Sequence, residues 1–155
     1  MKKYLWAFFI SMLPIIELRG AIPYAVLNDI PVTAAFLIAI IGNLLPVPFL
    51  ILFSKKILIW LSGFKSIGPF FQKIIDRAQE KANNIGKYEL LGVMLFVAIP
   101  LPGTGAWTGS LIAALLQLRM RDAFFAIFAG LIIAGVLVSA ASCGLLGIFN
   151  SIFMG

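Results

Sequence analysis

Long apolar runs cut by short polar interruptions organise this chain. Tyr4–Ile16 is apolar, but as a helix it reaches only about 20 Å, against a hydrocarbon core of about 30 Å. Glu17, Arg19 and Gly20 interrupt it, and a second short arm, Ala21–Leu27, closes at Asn28-Asp29. Two short arms around a polar Gly/Pro break predict a re-entrant hairpin or a broken helix. Such backbone survives in a bilayer only where protein or a wet cavity shields it. Pro31–Phe53 is uncharged and long enough to span. Pro31 suits a first helical turn, and Gly42-Asn43 with Pro46 and Pro48 predict a kink. Asn43 is expected to face protein, with an interhelical hydrogen bond ranked above ligand contact.

Lys55–Lys87 differs in kind. Phe70, Phe71, Ile74, Ile75 and Ala78 recur at helical spacing, and Lys73, Asp76, Arg77, Glu80 and Lys81 take the other face. That pattern predicts a basic amphipathic helix on the membrane surface. Leu90–Leu118 is uncharged, but Pro100–Gly105 (PLPGTG) divides it into the arms Leu90–Ile99 and Ala106–Leu118. Arg119, Arg121 and Asp122 mark an interface, and Ala123–Phe153 is a second spanning run. Its pairs Ala126/Gly130 and Ala140/Gly144 suit close helix packing.

Composition turns this pattern into a class. Of 155 residues 62% are hydrophobic, with a mean hydropathy of +1.08, whereas soluble domains run about 45–50% apolar. An integral membrane protein is expected, multi-pass and in the cytoplasmic (inner) membrane. It forms one membrane domain: 1–54 a hairpin plus a transmembrane helix, 55–87 a cytoplasmic amphipathic segment, 88–155 a second hairpin plus helix. The net charge of +6 fits cytoplasmic loops and anionic lipid rather than nucleic acid. Histidine is absent, so imidazole catalysis and histidine metal sites fall away; no cofactor, metal or enzymatic activity is expected. Cys143 reads as a small buried hydrophobe. Lys2, Lys3 and the apolar stretch after them mimic a signal peptide, but no small-residue cleavage site follows, so retention is expected.

If both interrupted segments re-enter the membrane rather than cross it, the basic regions Lys55–Lys87 and Arg119–Arg121 share one side, as the positive-inside rule prefers. The order hairpin, span, surface helix, hairpin, span then makes an inverted repeat, with Gly20-Ala21 aligned on Gly105-Ala106 and the breaks meeting near the midplane. The fold class expected is therefore all-α: two re-entrant helical hairpins, each followed by a transmembrane helix.

Charged residues at membrane depth are expensive and usually functional. Glu17 and Arg19 head the candidate substrate-binding residues, with Gly103, Thr104, Gly105, Trp107 and Asn43. Glycines allow a tight turn at the second tip, Thr104 adds a hydroxyl, and an arm starting near Ala106 aims free N–H groups into the break. Arg19 supplies a fork for a phosphate headgroup. Glu17 is the candidate for proton coupling. Residues two apart on a helix do not face each other, so Glu17 and Arg19 pair only across a break, or each meets a different partner.

At ELRGAIP and IPLPGTGAWTGSLIAALL the sequence resembles the putative small multidrug export proteins, a family similar to the DedA superfamily. The resemblance runs from Leu13 to about Ser142. It implies two inverted re-entrant hairpins packed with transmembrane helices. For DedA relatives it implies transport or flipping of lipids, including a polyprenyl phosphate carrier, with coupling to the proton gradient suggested. DedA relatives usually carry arginines around the second hairpin's Gly and Pro; Pro100–Gly105 has none. The readings carried forward are a secondary transporter or flippase for an anionic lipid, a proton-coupled multidrug exporter, and a structural protein in which Glu17 and Arg19 form only a salt bridge. Partners are membrane lipids, an anionic headgroup or a small-molecule substrate, with a homo-oligomer left open.

Overall fold

A computed structural model of the chain describes residues 2–63, 69, 72–73, 76, 87–101 and 103–153. The elements are α1 (Lys2–Met12), α2 (Glu17–Leu27), α3 (Val32–Leu44), α4 (Val47–Ser62), α5 (Lys87–Ala98), α6 (Ala106–Leu115) and α7 (Met120–Phe153). Among the described residues there is no strand. Two stretches are long and apolar enough to cross a membrane, Val32–Lys56 and Met120–Gly144. Helices α1, α2, α5 and α6 have 11, 11, 12 and 10 residues, about half the length that a bilayer demands.

The kink expected in the first long run is present. Helix α3 stops at Leu44 and α4 starts at Val47, with Leu45-Pro46 between them. Pro46 cannot donate to a helical carbonyl, while Pro48 falls in the first turn of α4, where a missing N–H costs nothing. Helix α4 then runs unbroken through Lys55 and Lys56 to Ser62, past the point where the basic segment was expected to begin. The amphipathic pattern of Phe70–Ala78 lies outside the described residues for the most part.

The first break falls upstream of its expected place. Helix α1 ends at Met12 and Leu13–Ile16 form the turn, so Glu17, Arg19 and Gly20 begin α2 instead of interrupting it. Pro14 ends α1 more effectively than the charges do. The second break is where the sequence placed it, with α6 beginning at Ala106.

Helices α1, α2 and α3 pack together, as do α5, α6 and α7, and the halves interlock through α2 against α7 and α6 against α4. One constant sequence offset relates the halves. It carries Leu27, the end of α2, onto Leu115, the end of α6, and Val32 onto Met120, the starts of the long helices. Asp29 (φ 60) falls on Gln117 (φ 52), both left-handed. Asp29 N–H donates to the carbonyl of Val26 and Ile30 N–H to Ala25; Gln117 N–H donates to Ala114 and Leu118 N–H to Ala113. Both are Schellman caps, closed by a buried hydrophobe, Ile30 or Leu118. Buried Glu17, Leu18, Ala21, Ile22 and Ala25 correspond to buried Gly105, Ala106, Gly109, Ser110 and Ala113. Gly20 therefore does not match Gly105, as the sequence alignment expected; Glu17 does.

The same offset pairs Gly42 with Gly130. A Cβ on Gly42 would lie 2.8 Å from the Phe8 carbonyl oxygen on α1, and one on Gly130 2.6 Å from that of Met94 on α5. Each long helix thus presses a glycine onto the first arm of its own half. Ala126/Gly130 is a packing pair as expected. Gly144 meets nothing within 4 Å, so Ala140/Gly144 is not a packing pair among the described residues of the chain. Cys143 is exposed rather than buried; it lies off the face of α7 that buries Val138 and Ser142.

Two lysines mark the ends of the bundle. Lys3 Nζ donates to the Asn28 carbonyl at 3.1 Å, joining the start of α1 to the end of α2. Lys55 Nζ donates to the Leu118 carbonyl at 2.6 Å, joining the far part of α4 to the end of α6. A cation at a helix C-terminus meets carbonyls that lack intrahelical donors.

Candidate functional site

The two breaks meet. Glu17 has φ 50, a left-handed conformation unusual for a residue with a Cβ. It directs the side chain inward, and Glu17 is 3% exposed. Its carboxylate lies against the N-terminus of α6. Trp107 N–H donates to Oε1 at 3.3 Å, and Ala106 N–H also faces it. These are amides that a helix start leaves without internal partners, and the positive end of the helix dipole favours an anion there.

Gly105 makes this contact possible. A Cβ at that position would sit 1.5 Å from Glu17 Oε2. Its φ of −104° is open to any residue, so space for the carboxylate, not backbone freedom, requires glycine. Gly103 is the opposite case: φ is 85° and a Cβ would meet nothing within 4 Å, so its role is the turn itself.

Arg19, one helical position beyond Leu18, reaches the second tip. Nη2 donates to the carbonyls of Ile99 at 3.1 Å and Thr104 at 2.8 Å, and to Thr104 Oγ1 at 3.0 Å. Nη1 donates to the Leu101 carbonyl. The guanidinium therefore gathers carbonyls freed by the end of α5. Thr104 Oγ1 lies 2.7 Å from the Ile99 carbonyl and 2.8 Å from that of Leu101, so its single proton can serve either. In return, Trp107 Nε1 donates to the Met12 carbonyl at 3.1 Å, at the end of α1. The offset that relates the halves places Arg19 on Trp107. Each half thus sends one side chain to cap the first arm of the other.

Glu17 and Arg19 form no ion pair within 4 Å among the described residues; each turns to the second hairpin. The salt-bridge reading of this pair is thereby replaced by two separate cross-hairpin contacts. Of the five buried side-chain polar atoms without a partner among the described residues, four belong to this site: Glu17 Oε2, Arg19 Nε, and both Oδ1 and Nδ2 of Asn43. Asn43, 0% exposed on α3, lies beside the Glu17 carboxylate. The interhelical hydrogen bond expected of it is not made. Each such orphan costs about 1–3 kcal/mol, so a cluster of them marks a place arranged for something besides packing.

Beside the tips lies an apolar groove of about 540 Å³, lined by Met12, Leu45, Phe49, Phe53, Lys56 and Trp107 among others. Of the expected site residues, Glu17, Arg19, Asn43, Thr104, Gly105 and Trp107 are brought together, with Gly103 shaping the turn beside them. The sequence reading missed the carbonyls of Met12, Ile99 and Leu101, which carry no side-chain signal, and the groove residues, whose apolar character is shared by most of the chain.

Comparison with known proteins finds no match among curated proteins or solved structures. A protein-family profile, described as Putative small multi-drug export protein, matches residues 17–137. That span runs from Glu17 through the first long apolar stretch and the second tip into the second long apolar stretch. The chain belongs to the family of putative small multi-drug export proteins.

Proposed function

We propose that the chain is a secondary transporter or flippase of the DedA-like type for an amphiphile with an anionic headgroup, a lipid or lipid-phosphate carrier, in the cytoplasmic membrane. The observation that carries this reading is the convergence of Arg19, the Thr104 hydroxyl and the N-terminus of α6 beside an apolar groove. A headgroup would take the donors while its tail lay along Phe49 and Phe53. The family description supports transport in general.

An inverted-topology repeat of two re-entrant hairpins is the architecture that we infer. Its support is the shared offset of caps, helix starts and packing glycines. Lys3 beside Asn28 favours a first hairpin that enters and leaves on one side. Lys55 beside Leu118 favours placing the end of the first span and the start of the second on the other. Breaks that meet at mid-depth suit alternating access.

The multidrug reading, in which Glu17 binds a lipophilic cation, fits the family description. The amide donor that the carboxylate already meets at the start of α6 favours the anion reading. Reconstituted protein tests the choice. Accelerated flipping of fluorescent phosphatidylglycerol or polyprenyl phosphate, weakened by Arg19→Lys, supports the lipid reading. Uptake of a lipophilic cation with no effect on lipid would sink it.

A further inference from the structure

We propose that Glu17 is a built-in competitor for the anion site, holding the donors of α6 until a proton neutralises it. The inference rests on the anion reading above. It starts from what the carboxylate touches. Oε1 accepts from Trp107 N–H at 3.3 Å, a long bond for a charge-assisted contact, which runs about 2.7–2.9 Å. Ala106 N–H faces the same group. An oxyanion docking at this helix start would need those two amides. Glu17 therefore acts as a tethered anion in the place of a ligand.

The other oxygen gives the means of release. Oε2 is buried and without a hydrogen-bond partner, and so are both amide atoms of Asn43, which acts on the same carboxyl group. Ionised, Oε2 can accept from Asn43 Nδ2. Protonated, it can donate to Asn43 Oδ1. An amide beside a carboxyl group serves either state by turning over, because it carries a donor and an acceptor. A proton taken up at Oε2 leaves a neutral carboxyl that no longer competes as an anion for the amides of Ala106 and Trp107. The charged side chain acting on Glu17 is Arg19, from α2; α3 presents Asn43 and α6 its N–H groups. Arg19 now donates to the tip carbonyls and would turn its fork toward the incoming oxyanion. Proton and anion are thereby bound together, and linkage requires each to strengthen the other.

Binding of phosphatidylglycerol to the purified full chain in neutral detergent tests this, because a phosphodiester keeps its charge from mildly alkaline to mildly acidic pH. Sulfate is the free-oxyanion probe. Affinity should rise as pH falls, by up to about tenfold per pH unit, the limit for one linked proton. Glu17→Gln should bind at the acid level of the parent at every pH. A response to phosphatidylglycerol alone assigns a lipid headgroup. The same response to sulfate alone keeps the competition but overturns the lipid reading. A parent curve flat in pH, or Glu17→Gln binding below the acid level of the parent, overturns the competition while leaving the anion site standing. No binding of either probe by either protein overturns both.

Discussion

The two hairpin tips meet with different chemistry. The first carries charge on side chains, Glu17 and Arg19. The second carries none and offers backbone, the amides at the start of α6 and the carbonyls at the end of α5. At matching positions Glu17 faces Gly105 and Arg19 has Trp107 as its counterpart. The halves therefore share a frame and differ where they touch. Two charged tips would place like groups against each other in a dry interior, where a poorly partnered charge costs several kcal/mol. One charged tip against one peptide-rich tip lets carboxylate meet amides and guanidinium meet carbonyls. That explains how the tips dock with no charged residue in Pro100–Gly105.

The largest expected effect is at Gly105. Gly105→Glu places a side chain on the Glu17 carboxylate and should unfold or strongly destabilise the purified protein. Combining it with Glu17→Gly moves the carboxylate to the other half and should recover much of the melting temperature. A double variant no better than Gly105→Glu alone would break the correspondence between the tips. Next is Arg19→Met, which strips charged hydrogen bonds worth about 1.5–3 kcal/mol each before compensation. Arg19→Lys should recover part of the stability, since an ammonium lacks the fork.

Glycine substitutions sharpen the comparison between halves. Gly42→Ala and Gly130→Ala should cost similar amounts, about 1–3 kcal/mol by overpacking, whereas Gly144→Ala should stay within about 0.5 kcal/mol. Thermal unfolding in detergent reads all three, and a silent Gly130→Ala would remove one of the matched contacts. The smallest effect on stability accompanies a topological test. In a Cys143→Ser background, cysteines at Lys56 and Arg121, both exposed, should share one response to an impermeant thiol reagent in intact cells. Opposite responses would separate the ends that Lys55 joins to Leu118.

Much of the fold was legible because apolar length and interruption are local properties. Runs too short to span, a proline kink at Leu45-Pro46 and a helix start at Ala106 all follow from residues within a few positions. The membership of the site was legible for a related reason, since Glu17, Arg19 and Asn43 stand out against an apolar background. The exact place of the first break was not. Pro14 and the charges that follow it are both helix breakers by local chemistry, and the structure ends α1 at Met12, ahead of Pro14, with the charges inside α2.

By itself, then, the sequence determined the helical segments, their lengths and the few polar residues among them. Tertiary structure decided what those residues meet. Arg19 and Thr104 are far apart in the chain, and their bond depends on both tips arriving at one depth. Gly20 and Gly105 look alike as letters, yet the Schellman caps at Asp29 and Gln117 set a register in which Glu17 is the match. The physical reason is that hydrophobic patterning fixes which faces are buried, while a polar atom in a dry interior takes its partner from whatever backbone the packing brings within hydrogen-bond reach.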